Sequence, residues 1–391
     1  MDFALNDDQR AFQDSARDFA QNELAPFAAE WDAEAHFPIA TIKKAGELGF
    51  CGLYTAEEFG GLGLSRLDAA IVFEELAAGC TATTAYLTIH NMVTWMTTAF
   101  GSPEIANYWG PLLTSGEKLG SYCLTEPGAG SDAASLKTRA ELVGNEYVIN
   151  GSKAFISGAG STDVLVLMAR SSAAGDAASG ASGISAFAVP ADTPGITYGK
   201  NEHKMGWKSQ PTRTITFDNV TIPASHLLGQ EGQGFIFAMK GLDGGRINIA
   251  TCAIGTAQAA LERAQAYLHE RQQFGRPLAQ FQALQFKLAD MVTTLVAARQ
   301  MVRLAAWKLD TGSPEVTTYC AMAKRFATDV AFDVANEALQ IHGGYGYIQE
   351  YPLERYVRDN RVHQILEGTN EIMRVIIARA ALQEGTLENL K

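Results

Sequence analysis

The chain has 391 residues, of which 47% are hydrophobic and 19% charged, and its formal charge is −12. That length allows two or three domains with sizeable cores, and the composition is ordinary for globular protein, with no long disordered tail. The acidic balance and the lack of any Lys/Arg run argue against nucleic acid as a partner, although a local basic cluster still suits one phosphorylated ligand.

Residues 1–118 read as a helical zone. Phe12, Ala16, Phe19 and Ala20 share one face, as do Leu67, Ala70, Ile71 and Glu74/Leu76, and Pro26, Pro38, Gly60-Gly61, Gly63 and Pro103 punctuate between. Residues 119–229 change texture. Val164 to Met168 is a short apolar run suited to a buried strand, and Ala140–Val143 and Tyr147–Ile149 flank a Gly144-Asn145 turn. Ile184–Val189 and Thr214–Phe217 are further strands, and the Ala/Gly/Ser-rich stretch from Ser171 to Ser182 is a flexible connection. Short strands with no helical period between them predict a small antiparallel sheet or barrel. Residues 230–391 return to helix: Leu284, Leu288, Met291, Leu295, Ala298, Val302 and Leu309 form one stripe, and a second long helix runs from Thr317 to Ile341 and ends at Gly343-Gly344. The expected class is α+β, a helical domain followed by a β domain and a C-terminal four-helix bundle.

The five cysteines, Cys51, Cys80, Cys123, Cys252 and Cys320, are scattered without CxxC spacing, and no histidines cluster as metal ligands do. A reducing compartment follows, without a disulfide framework or structural zinc. No apolar run is long enough to span a membrane, and the acidic start is unlike a targeting peptide, so a bacterial cytoplasmic chain is expected, or a mitochondrial-matrix one if this is a mature eukaryotic chain.

Six segments concentrate polar chemistry. Tyr122-Cys123-Leu124-Thr125-Glu126-Pro127-Gly128-Ala129-Gly130-Ser131-Asp132 leaves the first strand and offers backbone N–H groups at close range, as a loop does along a polar ring or a phosphate; taken alone it is only a turn. Gly151 to Gly158 brings Phe155, Ile156 and Ser157 to another strand end. Leu242-Asp243-Gly244-Gly245-Arg246 opens the first helix of the C-terminal zone, with Asp243 and Arg246 either a surface ion pair or ligand contacts. Arg271 to Leu278, followed by Phe281-Gln282, sets two guanidinium groups in a Gly/Pro break suited to pyrophosphate or simply to a solvated helix end. Gln340-Ile341-His342-Gly343-Gly344 lets backbone approach another surface, with His342 packed or capping and not a metal ligand. In Ile365-Leu366-Glu367-Gly368-Thr369-Asn370-Glu371, one carboxylate precedes a helix capped by Thr369 or Asn370. Apolar neighbours raise the pKa of Glu367 toward what a general base needs.

The segments Leu124–Asp132 and Gln340–Gly346, the latter running on through Tyr351 to Arg355, resemble the two signatures of acyl-CoA dehydrogenases, and the resemblance covers the whole chain. It implies FAD, with the flavin ring held by Tyr122 to Ser131 and by Phe155, Ile156 and Ser157. It places Arg271, Phe281 and Gln282, with Gln340, Ile341, His342, Gly343 and Gly344 from a neighbouring chain, at the adenine and pyrophosphate end. Thr369, Asn370 and Glu371 complete that site. Ser131, Asp243, Gly244, Gly245, Arg246 and Arg379 match positions that contact acyl-CoA. Glu367 is implied as the base that takes the α proton as hydride leaves the β carbon for the flavin, electrons then passing to an electron-transfer flavoprotein from a homotetramer. Some members carry the base just before the Arg of the Asp-Gly-Gly-Arg segment; here that position is Gly245, which has no side chain to serve. Glu126, inside the flavin loop, and Glu371, inside the helix, are the weaker acids. Thr83-Thr84-Ala85-Tyr86 with Ile89 to Met92, Gly241 to Asn248, and Ile365 to Arg374 resemble members of valine breakdown. Isobutyryl-CoA is the implied substrate, with 2-methylbutyryl-CoA or butyryl-CoA as alternatives. An oxygen-using flavin oxidase or monooxygenase on the same fold, or a scaffold without turnover, is the more distant possibility.

Overall fold

The computed structural model describes residues 4–171 and 180–390, so most of the Ser171–Ser182 connection lies outside the described residues. Six helices form the first layer: α1 (Asp7–Phe19), α2 (Ala28–Glu34), α3 (Ile39–Glu47), α4 (Arg66–Gly79), α5 (Thr81–Phe100) and α6 (Pro103–Thr114). Three of their starts follow from capping chemistry. Asn6 and Gln9 form a reciprocal capping box on α1, Ser65 and Asp68 do the same on α4, and Ser102 caps α6 just ahead of Pro103.

Eight strands follow: β1 (Gly120–Cys123), β2 (Arg139–Val143), β3 (Glu146–Ser157), β4 (Val164–Arg170), β5 (Ile184–Pro190), β6 (Ile196–Tyr198), β7 (Thr212–Pro223) and β8 (Leu227–Leu228), in the order β6-β7-β3-β2-β4-β5-β8, with β1 on β4. The β2–β3 hairpin closes at Gly144-Asn145 as its sequence predicts. The sheet is not wholly antiparallel as expected: β1 runs parallel to β4, and β2 meets β4 in parallel at Arg139 and Arg170. The cause is the 40-residue excursion between β1 and β4, which carries the chain back to the same end; a tight turn would have forced the antiparallel arrangement. Alternate residues of β4 pack to opposite sides, Val164, Val166 and Met168 against Met92, Val93 and Met96 of α5, and Leu165 and Leu167 into the sheet core with Phe187 and Ile215. Burial on both faces explains the unbroken apolar run.

The last layer is α7 (Gly234–Glu270), a short hairpin of Gln272–Gln273 with Arg276–Pro277, α8 (Gln282–Asp310), α9 (Val316–His342), the single turn α10 (Gly344–Tyr347), α11 (Leu353–His363) and α12 (Asn370–Ala381). α7, α8 and α9 share one apolar core through Ile254, Leu261, Leu295, Val302, Ala327 and Val334. Arg299, on another face of α8, donates to Glu74 of α4 at 2.6 Å and so fastens the first layer to the last. Among the described residues no helix is long and apolar enough to cross a membrane, and no group of His, Cys, Asp or Glu is placed to hold a metal.

Candidate active site

Between α11 and α12 the chain makes a turn that Glu367 occupies at φ +55° and Gly368 at φ +89°. The left-handed region costs a side-chain-bearing residue about 1–2 kcal/mol, so the surroundings must hold this turn in place. Thr369 Oγ1 accepts from the Ile372 N–H at 3.2 Å and caps α12, while the Asn370 N–H donates back to the Gln364 carbonyl at 3.0 Å. Lys324, from the middle of α9, donates to the Gly368 carbonyl at 2.7 Å. Held this way, the Glu367 carboxylate faces α7. Its Oε2 is buried and has no hydrogen-bond partner among the described residues. Burial pushes its pKa up to about 7, against the opposing charges of Arg246 and Lys324. A half-buried carboxylate with a buried, unused oxygen and a pKa near neutral is equipped to accept a proton.

The Asp243–Arg246 segment does not open a helix, as expected, but lies ten residues inside α7, which starts at Gly234. Helix-interior glycines lower stability, so a packing reason is needed. Both glycines have one: a Cβ on Gly244 would lie 2.5 Å from Nη1 of Arg66, and a Cβ on Gly245 would lie 2.5 Å from Oε2 of Glu367. The pair therefore clears space for a guanidinium and a carboxylate side by side. Asp243 and Arg246 form a buried ion pair at 2.6 Å, not a surface bridge, and Thr317 Oγ1 donates to the other Asp243 oxygen at 2.7 Å.

Three contributors were not legible in the sequence. Arg66 lies with its guanidinium carbon 3.5 Å above the Tyr54 ring, and its Nη1 is buried without a partner among the described residues. Tyr54 hydroxyl accepts from Asn248 Nδ2 at 3.3 Å. Lys324 sits on the buried face of α9 among Cys320, Ala321, Ala327 and Thr328, where only a charge on a face of small residues marks it.

The two middle-domain segments meet. The Ala154 N–H of β3 donates to the Thr125 carbonyl at 2.9 Å, and Glu126 and Ala129 exchange backbone hydrogen bonds around Pro127-Gly128. Tyr122 Oη is buried without a partner among the described residues, and the Glu367 charge raises the pKa of Tyr122 further after burial has done so. Phe155 is 69% exposed at φ +58°, and Ser131 is exposed. Positions Gly128 and Gly130 open onto free space. Cys123, Leu124 and Ile156 point into the cores, so they can meet a ligand only through backbone.

Glu126 is also committed inward. It pairs with the fully buried Lys153 at 2.9 Å and accepts from the backbone N–H groups of Lys137 and Thr138. Burial works against its ionised form, but the Lys153 charge and these donors hold its pKa below the ordinary carboxylate value. That removes it as a base and makes it a structural anion. Glu126→Ala leaves the buried Lys153 ammonium without its counter-charge, with the Leu124 carbonyl as its remaining acceptor at 2.9 Å, and is expected to destabilise the fold by roughly 3–5 kcal/mol, measured by denaturant unfolding. Glu371 is exposed in the first turn of α12, with its pKa lowered by its backbone N–H and by Thr369.

Arg271 and the Gln340–Gly344 segment come together within one chain. A hollow of about 480 Å³ is lined by Tyr267, Arg271, Leu278, Ile341, His342 and Gly343. His342 stacks on Tyr267 at 4.2 Å and bonds the Ala338 carbonyl through Nδ1, so it packs, as expected. Phe281 lies under the Arg276 guanidinium at 4.1 Å, and Gln282 is exposed. This hollow lies 18 residues along α9 from Lys324, about 27 Å away at helical rise. Arg379 is exposed in the last turn of α12, away from Glu367. A larger surface hollow of about 690 Å³, lined by Tyr108, Lys118, Asp163, Asp192 and His226 among others, contains none of the predicted residues.

Family models match in three successive blocks: the acyl-CoA dehydrogenase N-terminal domain over residues 6–117, the middle domain over 121–220 and the C-terminal domain over 232–382. The chain belongs to the acyl-CoA dehydrogenase family. These are FAD-dependent oxidoreductases acting on CH–CH bonds. The chain is 52% identical to the mitochondrial isobutyryl-CoA dehydrogenase of Bos taurus over 97% of its own length and 90% of that protein. It is 43% identical to the mitochondrial short-chain specific acyl-CoA dehydrogenase of Homo sapiens, covering 93% of this chain and 87% of that one. Among solved structures, butyryl-CoA dehydrogenase from Megasphaera elsdenii superposes with a TM-score of 0.94 at 41% identity, covering 98% of this chain and all of that one. An acyl-CoA dehydrogenase needs a flavin surface beside its base. The unpartnered Tyr122 hydroxyl, the exposed Phe155 ring and the open glycine loop fit one.

Proposed function

We propose that this acyl-CoA dehydrogenase converts isobutyryl-CoA to methacrylyl-CoA in valine degradation, with Glu367 as the base. The observation that carries the assignment is the half-buried Glu367 carboxylate lying on Gly245, its Oε2 buried and unpartnered among the described residues. Bound FAD supplies the two-electron acceptor for the β C–H bond. The chain's own residues do the rest. Arg66, whose Nη1 has no partner among the described residues, brings positive charge to the pocket, with Arg246 largely neutralised by Asp243; that charge favours a developing thioester oxyanion, and the N–H of Glu367 is the family's donor to that oxygen. Glu367 then takes the α proton. Tyr122 to Ser131 with Phe155 to Ser157 hold the ring. Arg271, Phe281, Gln282, Gln340 to Gly344 and Thr369 to Glu371 serve the rest of FAD. Ser131, Asp243 to Arg246 and Arg379 contact acyl-CoA.

Leu366 supports a small branched acyl group, because straight-chain members commonly carry Tyr there and here the side chain packs toward the N-terminal core. A homotetramer is supported by apolar side chains left in solvent, among them Phe274 at 93%, Leu382 at 86% and Tyr347 at 81% exposure. The separation of hollow and base along α9 supports sharing of FAD between copies. An electron-transfer flavoprotein is the acceptor that the family resemblance implies.

The identity to short-chain enzymes favours one competing substrate, butyryl-CoA. Since one methylene in an apolar pocket is worth only about 1–3 kcal/mol, neighbouring chains will turn over. Comparing kcat/KM for isobutyryl-, 2-methylbutyryl-, butyryl- and isovaleryl-CoA with an artificial electron acceptor decides between them. Isobutyryl-CoA is expected first by roughly 10-fold or more; a preference for butyryl-CoA removes the assignment.

A further inference from the structure

Lys324 is charged, lies in the middle of α9 and has none of its surface exposed. A buried ammonium is costly unless its N–H groups find acceptors. Here Nζ donates to the Gly368 carbonyl at 2.7 Å and to Asn370 Oδ1 at 2.9 Å. Asn370 is fixed in turn, its Nδ2 donating to Asp329 Oδ1 at 2.7 Å and Thr328 Oγ1 at 3.0 Å. Both acceptors follow Glu367 within three residues, and Glu367 and Gly368 are the two left-handed residues of the turn. An internal lysine spent on two loop acceptors beside the base is more than the packing of α9 requires, since the residues one turn away on its face are Cys320, Ala321, Ala327 and Thr328.

We propose that Lys324 is the positioning residue of the base: its buried ammonium pins the Gly368 carbonyl and the Asn370 side chain, fixes the Glu367 turn against Gly245, and sets a positive charge beside the Glu367 carboxylate. The proposal rests on Glu367 being the base. The charges around the pair are few. Glu367 faces Arg246 from α7 and Lys324 from α9, and its charge is felt by Tyr122 of β1 and by Tyr54. Around Lys324 stand Glu367, Arg246, Asp329 and Glu371, with His363 of α11 held neutral by burial and by the Lys324 charge. Burial lowers Lys324 to about 7, and the Glu367 charge is the largest influence opposing that fall. The Lys324 charge lowers the Glu367 pKa, so without it the carboxylate takes its proton at higher pH. A base that is protonated is idle, so the acid limb of activity must then move to more alkaline pH.

In the FAD-loaded enzyme, Lys324→Met is expected to move the acid limb of kcat/KM for isobutyryl-CoA up by about one pH unit. It should also lower kcat at pH 7 by ~10-fold or more through loss of alignment. Flavin absorbance per chain stays at the wild-type value, and α-hydrogen exchange of isobutyryl-CoA in D2O shifts along the same pH axis. Lys324→Arg, which keeps the charge, restores the limb. An unmoved limb in Lys324→Met overturns the proposal, whether or not kcat falls. If Lys324→Met does not fold, Asn370→Ala, which cuts the clamp and leaves the charge, is expected to lower kcat per bound flavin by ~10-fold with the limb in place; unchanged kcat per bound flavin there overturns it equally. Glu367→Gln run alongside separates the two levels. A normally active Glu367→Gln means the base lies elsewhere, whereas an inactive one beside a Lys324→Met of wild-type profile removes only the role of Lys324.

Discussion

Glu367→Gln is expected to bind FAD and acyl-CoA normally while losing dehydrogenation by roughly 10²–10⁴-fold in kcat, measured with an artificial acceptor. The substitution is close to isosteric, and Oε2 has no hydrogen bond among the described residues to lose. What disappears is a proton acceptor of suitable basicity. The change also has a stability signature. The folded-state pKa of Glu367 is raised to about 7 from an ordinary 4.5, so stability is fully present below pH 4.5 and declines as pH rises through 7. Gln removes that decline, and the melting temperature of the variant at pH 8 should equal or exceed that of the wild type. A catalytic loss joined to unchanged or better stability is hard to obtain from mere misfolding.

Gly245→Ala is expected to lower kcat by ~100-fold with little change in stability or flavin content. The new methyl would lie 2.5 Å from Oε2 of Glu367 and 3.0 Å from its carboxyl carbon. Those atoms are the far end of a side chain, so the clash is relieved by rotating the carboxylate aside, and the fold survives. The base, however, leaves its place, and a displacement of about 1 Å can cost two orders of magnitude. Gly255, on the same helix, provides the contrast. There a Cβ would meet the Glu74 backbone carbonyl at 2.2 Å, so Gly255→Ala is a stability variant and not a catalytic one. Denaturation midpoints measured beside kcat separate the two classes.

Much of this arrangement was legible in the sequence because it is local. Thr369 as the cap of α12, the Gly144-Asn145 hairpin and the apolar run of β4 are each fixed by neighbours within a few residues. The direction of the Glu367 pKa shift was legible too, although Ile365 beside it is 51% exposed and the desolvation comes from packing against Gly245 of α7. The helix start before Asp243 was missed because the paired glycines read as a helix entrance. Only the tertiary partners Arg66 and Glu367, 178 and 122 positions away, explain glycines inside α7. The parallel β1–β4 pairing depends on how a 40-residue excursion returns, which no spacing records. Lys324 was missed for the same reason: its acceptors Gly368 and Asn370 lie 44 and 46 positions on.

The central claim is that Glu367, and no other acid, removes the α proton of an acyl-CoA bound beside Gly245. Exchange of the α hydrogen of isobutyryl-CoA with D2O, followed by mass spectrometry on the FAD-loaded enzyme, observes that step without requiring turnover to product. The wild-type enzyme should incorporate deuterium, and Glu367→Gln should incorporate none above the uncatalysed background. Exchange at the wild-type rate in Glu367→Gln would contradict it.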